Sequence, residues 1–366
     1  MAGMKMKYYF GADTALKLGN QLGIDGEEYA AWVAPRVDDL EIKDRVGVFA
    51  RGLRDRLPGD YGEAVAGVVD KLGPELAEGE GYFNHAFHLW PVSRFIEDYG
   101  LDHPELSLAA TEALTRAFTG EWAVRPYLSH YPALTMERIE EWSRSASHNV
   151  RRLSTEGLRP RLPWAPVHRP FLDDPAPIIP VLDRLYADTS LYVRTSVANN
   201  LNDIGRTHPS LAIATAERWL AASPSPEVTW VAERGLRGLI KQGDPAALAA
   251  VGFAATDAIE LVSVTFPPRV AVGQKAELTA RVLNASDQPR DILVDYRIHF
   301  LKKNGTRRPT TFRLGRFTLA PGEERDLTKR HPFTVTSTRT LYPGTHAVSV
   351  AVNGAEGEPV PFELVA

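Results

Sequence analysis

The chain has 366 residues, of which 44% are hydrophobic and 24% charged, as in ordinary soluble globular proteins. This length suits two domains, and the absence of cysteine excludes disulfides, thiol nucleophiles and cysteine-ligated zinc. A net charge of −4 argues against a protein that binds nucleic acid through a uniformly basic surface.

The N-terminal residues 1–10 lack the long apolar core of a signal peptide. No later stretch approaches the roughly 20 apolar residues that a membrane-spanning helix needs. We therefore expect a cytoplasmic protein that does not contact the membrane.

Residues 1–255 are predicted to form helices, because apolar residues recur at spacings of three and four, as in 46–53. Val150, Val193 and Val228 each open a predicted helix, and they are separated by 43 and 35 residues. These spacings favour an all-α solenoid of two-helix HEAT-like repeats. Stacked repeats share one core and align equivalent helices on a concave face.

Residues 258–366 are predicted to form an immunoglobulin-like β-sandwich of about seven strands. Alternating patterns indicate strands at 259–266, 275–282, 292–300 and 346–352. Pro and Gly turns separate them, and the cysteine pair of antibody domains is absent. This segment holds 15 Lys and Arg against 11 Asp and Glu, so the rest of the chain is acidic.

The segment 150–164 is the most informative stretch, because it combines arginines, a carboxylate and a tryptophan. Glu156 stands at the predicted end of a helix, where a carboxylate faces the unfavourable end of the helix dipole. Gly157 is placed as the C′ residue that often ends a helix. Arg152, four residues earlier, can pair with Glu156 or with a phosphate. The alternative is an ordinary exposed ion pair.

Two further carboxylates are candidates for the same site. Glu121 precedes Trp122, and its alternative role is a charge at a helix start. Asp203 ends the amide-rich run 199–203, whose side chains compete with helical hydrogen bonds. Either these side chains face the predicted groove, or the run is a frayed helix end before Gly205.

Trp164 follows a proline-stiffened loop, and its indole face can attract a cationic base with roughly 0.5–2 kcal/mol. The alternative is a tryptophan of the core, which is the role that we predict for Trp122 and Trp142, with Trp122 as a weaker second candidate for the site. His85 and His88 lack a third ligand, and no nucleotide-binding motif is present. We therefore expect no metal and no cofactor.

Basic residues near the carboxylates and in a predicted hairpin are candidate phosphate ligands. They are Arg125, Arg151, Arg159, Arg161, Arg194, Arg206, Lys302, Lys303, Arg307 and Arg308.

Several irregular motifs, in the right order, resemble the AlkC-type DNA alkylation repair proteins, a family of HEAT-like bacterial DNA glycosylases. The motifs lie at 40–45, 57–61, 118–127, 150–164 and 196–203. Where that family favours Phe-Ala-Ile-Arg, this chain has Trp122-Ala-Val-Arg125. One branch of the family also carries a C-terminal immunoglobulin-like domain.

The resemblance implies a cofactor-independent DNA glycosylase, most simply a monomer, that acts on duplex DNA containing alkylated bases in a bacterial cell. It implies 3-methyladenine as the first expected substrate and 3-methylcytosine as a second. Glu156, Asp203 and Glu121 then match the family's active-site carboxylates, while Trp164 and Arg152 assist them. The resemblance hints at a bent duplex and leaves open whether the base is extruded.

Two alternatives remain at this stage. HEAT-like solenoids are usually scaffolds, so the chain can be a helical-repeat module that binds DNA or protein without catalysis. It can also be an inactive family member that recognises branched or damaged DNA.

Overall fold

A computed structural model describes residues 5–336 and 340–366. The first two thirds of the chain are helical, and the remainder consists of β-strands, as the sequence predicts. The α-helices are α1 (Ala12–Leu22), α2 (Gly26–Val33), α3 (Ile42–Arg54), α4 (Tyr61–Val69), α5 (Tyr82–His85), α6 (Trp90–Tyr99), α7 (Pro104–Ala117), α8 (Val124–His130), α9 (Pro132–Trp142), α10 (His148–Glu156), α11 (Arg169–Asp173), α12 (Ile179–Leu185), α13 (Leu191–Gly205), α14 (Pro209–Ala222), α15 (Pro226–Gln242) and α16 (Pro245–Ala250). Single turns of 3-10 helix lie at Met6–Tyr9, Ala34–Arg36, Phe87–Leu89 and Ala176–Ile178.

The predicted helical repeat is confirmed in α10, α13 and α15. Val150, Val193 and Val228 are the third residues of these helices, and all three are fully buried. Ser147 and Ser225 cap α10 and α15, because each hydroxyl accepts the amide hydrogen of the valine three residues later at 3.2 Å. The repeated unit is thus a helix start followed by a buried valine.

The strands form an immunoglobulin-like sandwich, as predicted. They are β1 (Ile259–Thr265), β2 (Arg269–Ala271), β3 (Lys275–Asn284), β4 (Arg290–Leu301), β5 (Arg307–Leu319), β6 (Glu324–Pro332), β7 (Gly344–Val352), β8 (Ala355–Glu356) and β9 (Val360–Val365). In the described part of the chain, one sheet has the order β1-β3-β6 and the other β2-β9-β7-β4-β5, with β8 on β7. All pairs are antiparallel except β2 with β9.

The burial pattern along the strands shows which faces of the two sheets pack on each other. Strand β3 alternates between exposed and buried residues, so one face enters the core. Its buried side chains Leu278 and Val282 meet Ile298 and Val350 of the other sheet in one hydrophobic core. Strand β4 is paired on both sides and is largely buried from Ile292 onward.

The chain divides into two compact units, residues 1–204 and 205–366. The change from helix to strand lies between α16 and β1. Helices α14–α16 nevertheless belong to the same compact unit as the strands. One reason is the ion pair of Arg316 with Glu233, in which two guanidinium nitrogens lie 2.7 and 2.8 Å from the carboxylate oxygens.

Among the helices of residues 5–336 and 340–366, none is both long enough and apolar enough to span a membrane.

Candidate active site

Helix α10 supplies the central residues of the candidate site. Its buried side consists largely of polar and charged groups, in contrast to the apolar side of an ordinary core helix. These groups are Asn149, Arg152, Ser154, Thr155 and Glu156. Burying a charge is costly unless it is paired and hydrogen-bonded. The partners of these side chains therefore determine what the site can do.

Helix α10 ends at Glu156, but Gly157 keeps right-handed torsion angles, with φ at −61° and ψ at −28°. It is therefore not the left-handed C′ residue that the sequence suggested. A β-carbon on Gly157 would stand 2.7 Å from Cγ1 of Val124 and 3.1 Å from the carbonyl oxygen of Leu153. The close approach of Gly157 to Val124 of α8, rather than backbone conformation, requires glycine here.

We expect Gly157→Ala to lower the free energy of unfolding by about 1–3 kcal/mol, because the added methyl group overpacks this contact. Gly67 of α4 is a matched control, since a β-carbon there meets nothing within 4 Å. Gly67→Ala is expected to stabilise the protein by up to about 1 kcal/mol through helix propensity. Denaturant unfolding of both variants measures the difference, and equal effects would contradict the packing argument.

Glu121, Glu156 and Asp203 come together around two arginines, and we call these five residues the carboxylate–arginine cluster. Arg152 Nη1 contacts Glu121 Oε2, and Arg152 Nη2 lies 3.5 Å from Glu156 Oε1. Arg159 Nη1 lies 2.7 Å from Glu156 Oε1, and its Nε lies 2.9 Å from Asp203 Oδ2. Each of the five residues is at most 9% exposed. Three carboxylates against two guanidinium groups leave one net negative charge when all are ionised.

Hydroxyl groups complete the cluster, and the sequence analysis did not identify them. Thr119 donates to Glu121 Oε2 at 3.1 Å, and Ser196 donates to Glu156 Oε2 at 2.6 Å. The hydroxyl oxygen of Thr155 lies 2.7 Å from that of Ser196. Thr119, Thr155 and Ser196 lie within the motifs at 118–127, 150–164 and 196–203, and that position was the signal available in the sequence.

The cluster shifts the pKa values of its carboxyl groups in opposite directions. Burial alone would raise the pKa of Glu156, but the charges of Arg152 and Arg159 and the bond from Ser196 lower it below its usual 4.5. Burial raises the pKa of Glu121, and the neighbouring charge of Glu156 raises it further, so that Arg152 offsets these effects only in part. Of these two carboxyl groups, Glu156 is therefore the one that is held more firmly in its ionised form.

Arg151 and Arg194 occupy equivalent positions in two repeats, directly after the buried valines. The Nη1 of each donates to the carbonyl oxygens of the residues six and five positions earlier in the chain. The distances are 3.0 and 2.9 Å for Arg151, and 2.5 and 2.8 Å for Arg194. Arg151 also forms a two-pronged ion pair with Asp188, at 2.6 and 2.9 Å. Both arginines thus hold the loop that precedes their helix.

Arg125 likewise has partners within the protein. Its Nη1 donates to the carbonyl oxygens of Gly157 and Arg159 at 3.0 and 2.9 Å, and its Nη2 donates to that of Pro166 at 3.1 Å. Burial, together with the charge of Arg159, lowers its pKa to about 10. The donors of Arg125 and Arg151 are largely occupied within the protein, which argues against a role as phosphate ligands. In Arg194 only Nη1 is bound in this way, and its Nε has no hydrogen-bond partner among the described residues, so Arg194 stays a predicted phosphate ligand.

The other predicted phosphate ligands stay predictions. Arg161 is partly exposed, and its Nε has no hydrogen-bond partner among the described residues. Arg206 is exposed at the end of α13. Four exposed basic residues surround the turn between β4 and β5: Lys302, Lys303, Arg307 and Arg308.

Trp164 combines partial exposure with an unusual backbone conformation. It is 39% exposed, and its φ of 63° lies in the left-handed region that non-glycine residues rarely adopt. Its ring stacks on Trp90, with centroids 5.1 Å apart and planes at 12°, and it lies near Trp122, with centroids 6.0 Å apart. Trp122 is buried and donates its Nε1 hydrogen to the carbonyl oxygen of Pro163 at 3.0 Å. Trp142 is buried as well.

The buried His88 is hydrogen-bonded within the protein. The Nε2 of His88 lies 2.7 Å from the side-chain oxygen of Gln21, and burial lowers the pKa of this histidine to about 4. In residues 5–336 and 340–366, no three His, Asp or Glu side chains converge in a way that could hold a metal ion.

Known proteins resemble both the helical region and the strand region of this chain. Residues 260–366 match the family model described as "Uncharacterised protein YhaZ, C-terminal Ig-like domain". The uncharacterised protein YhaZ of Bacillus subtilis is 34% identical over 327 residues, which cover 89% of this chain and 88% of that protein. A solved structure of the alkylpurine DNA glycosylase AlkC of Pseudomonas fluorescens, bound to DNA containing an abasic site analog, superposes with a TM-score of 0.90 at 29% identity. The match covers 99% of this chain and all of that one.

The fold and the site therefore define an α-helical repeat protein of the AlkC type that carries a C-terminal immunoglobulin-like domain. More particularly, this chain belongs to the family of YhaZ.

Proposed function

We propose that this protein is a DNA repair glycosylase that hydrolyses the N-glycosidic bond of cationic N-alkylated bases. The first expected substrate is 3-methyladenine, and 3-methylcytosine is the second. The carboxylate–arginine cluster carries this proposal, because its net negative charge is buried within a chain that matches a DNA glycosylase over its whole length.

The chemistry of the lesion explains why such a cluster suffices. An N-alkylated base is positively charged while it is attached, and it leaves as a neutral molecule, so the leaving group needs no proton. When the bond from C1′ to nitrogen breaks, the positive charge passes to the deoxyribose. A preorganised negative charge in a water-poor site stabilises that charge more strongly than it would in water. Water then adds to C1′ and releases a proton.

The opposite pKa shifts divide the roles of the carboxylates. Glu156, with its lowered pKa, remains ionised and stabilises the positively charged sugar. Glu121, with its raised pKa, is the better acceptor for the proton of the attacking water. Asp203 holds Arg159 in place and adds negative charge.

Contact with DNA has to uncover these carboxylates, which are at most 4% exposed. We infer that a DNA phosphate replaces a carboxylate as a partner of Arg152 or Arg159, since guanidinium groups bind both anions through two parallel hydrogen bonds. Trp164 then offers its exposed indole to the cationic base. Arg161, Arg206 and the basic turn between β4 and β5 are the proposed contacts with the DNA backbone.

The decisive test is the chromatographic analysis of bases that the full chain releases from methylated duplex DNA. We expect free 3-methyladenine from the methylated duplex and no release from the same duplex before methylation. Release of no base, under conditions where the protein binds the duplex, would contradict the proposal and favour a non-catalytic binding module.

A further inference from the structure

A cavity of about 300 Å³ lies beside the candidate active site. Its described walls contain no member of the carboxylate–arginine cluster. One side is formed by Trp90, Trp122 and Trp164, and the polar groups of the remaining wall include Glu97, Arg94 and Lys43. This volume stands at the lower end of the range of about 300–1,000 Å³ typical of small-molecule sites. A single fused-ring heterocycle therefore fits the cavity better than a larger ligand.

The three indoles form one stacked group. The ring centroids of Trp90 and Trp122 are 4.6 Å apart, with planes at 28°, and Trp164 stacks on Trp90. Trp90 and Trp122 are at most 4% exposed, so Trp164 is the member that faces solvent. A stacked aromatic wall is the surface that planar nucleobases bind, because every base presents a π-face.

Glu97 is the acidic group of the cavity. Its Oε1 accepts a hydrogen bond from Ser93 at 3.3 Å, and its Oε2 lies 3.7 Å from Arg94 Nη1, beyond hydrogen-bond distance. Burial raises the pKa of Glu97 to about 7, although Arg94 acts in the opposite direction. Near neutral pH the carboxyl group is thus present in both forms, and its protonated form offers a donor next to an acceptor.

The cations of the wall do not favour an anionic ligand. Arg94 Nε is already bonded to Asp98 Oδ2 at 2.8 Å, and the guanidinium of Arg125 is used by three carbonyl oxygens. Lys43 is exposed. A nucleotide phosphate would meet partnered arginines and the carboxyl group of Glu97. A neutral base, in contrast, gains the aromatic wall and the hydrogen bonds of Glu97.

The cavity and the cluster share their framework. Trp122 directly follows Glu121, which belongs to the cluster, and donates to the loop that carries Trp164. Arg125 lines the cavity and donates to the carbonyl oxygen of Arg159, which belongs to the cluster. A base released at the cluster would therefore leave close to the aromatic wall.

We propose that this cavity binds a free N-alkylated purine, with the ring on the tryptophan wall and its nitrogen-rich edge on Glu97. The inference rests on the proposed glycosylase function and adds a binding site for the released base. The exocyclic amino group of the purine donates to one carboxyl oxygen of Glu97, and a ring nitrogen accepts from the other when Glu97 is protonated.

Titration calorimetry of the full chain with free 3-methyladenine tests the proposal. We expect one site per chain and at least a tenfold loss of affinity in Glu97→Leu, whose side chain has no hydrogen-bonding group. Glu105→Leu is the matched control, because this exposed carboxylate of the neighbouring helix α7 does not line the cavity. A second variant, Ser129→Leu, places an apolar side chain at an exposed position of the cavity wall and is expected to reduce binding without disturbing the core.

Three outcomes would overturn the inference. They are no binding to the wild-type chain at about 1 mM free base, unchanged affinity in both Glu97→Leu and Ser129→Leu, and equal or tighter binding of adenosine monophosphate. Base release from methylated DNA is measured separately. A chain that cleaves DNA without binding the free base keeps the proposed function and loses this inference. A chain that binds the free base without cleaving DNA supports the proposed binding site and contradicts the proposed glycosylase function.

Discussion

Replacement of Glu156 by glutamine is expected to slow base release from methylated duplex DNA by about 10²–10⁴-fold. Glutamine keeps the shape of the side chain and can still accept the hydrogen bond from Ser196, but it removes the negative charge that stabilises the sugar cation. The affinity for DNA is expected to hold or rise, because one negative charge disappears next to the phosphates. Single-turnover release of 3-methyladenine and an equilibrium DNA-binding assay measure the two quantities.

Glu137→Gln is the matched control, since this glutamate of α9 is exposed and lies outside the cluster. It is expected to retain both the rate and the affinity of the wild type. Circular dichroism and thermal unfolding confirm that each variant is folded before the rates are compared. A Glu156→Gln enzyme that is folded and releases base at the wild-type rate would refute the role assigned to this carboxylate.

Replacement of Arg159 by methionine is expected to have the largest effect on stability. The change leaves Glu156 and Asp203 buried without the guanidinium that joins them at 2.7 and 2.9 Å. Removing one partner from a buried ion pair typically costs about 3–5 kcal/mol. The free energy of unfolding of the helical unit, followed by hydrogen exchange of α10 and α13, is the appropriate measurement, because a chain of two units need not unfold in one step.

Arg116 offers a close control, because it too bridges two carboxylates but is 40% exposed. Its Nη1 lies 3.1 Å from Glu75 Oε2, and its Nη2 lies 3.3 Å from Glu112 Oε1. Water screens such pairs, so Arg116→Met is expected to cost at most about 1 kcal/mol. Equal losses of unfolding free energy in the two variants would show that burial does not raise the contribution of the ion pairs of Arg159 to stability.

The effect of Arg159→Met also depends on pH. In the wild type the pKa of Glu156 lies below 4.5, so its contribution is complete above that value and is lost as the pH falls through the lowered pKa. Without Arg159 the pKa of the same carboxyl group is expected to be higher. Protonation of Glu156 then stabilises the folded variant as the pH falls. The difference between wild type and variant is therefore expected to narrow from pH 7 to about pH 5. A difference that stays constant over this range would contradict the assignment of the lowered pKa to the arginines.

Local sequence patterns were sufficient to predict the main elements. The alternation in 275–282 appears as the half-buried strand β3, and the helix openings at Val150 and Val193 appear at equivalent positions of α10 and α13. These predictions succeeded because the burial of a side chain depends mainly on the period of its own element. The equivalent placement of two repeats also anticipated that Glu156 and Asp203 would lie near each other.

The partners of the charged side chains were harder to predict from the sequence. Arg125 and Arg151 have the sequence character of phosphate ligands, yet their donors bind carbonyl oxygens of the chain itself and, in Arg151, also the carboxylate of Asp188. The partners of Arg125 lie 32 to 41 positions away in the sequence, where periodicity carries no information. Gly157 shows the same limit, since its requirement comes from Val124 of another helix.

By itself, therefore, the sequence determined the helical repeats, the following β-sandwich and the identity of the three candidate carboxylates. Only the tertiary structure decided that two arginines form ion pairs with these carboxylates and that Thr119 and Ser196 donate hydrogen bonds to them. It also decided that three tryptophans and Glu97 line a neighbouring cavity. The physical reason is the separation in sequence between the residues that interact. Secondary structure follows from spacing within one segment, whereas the partner of a buried charge depends on which segments meet, and that is settled by packing of the whole unit.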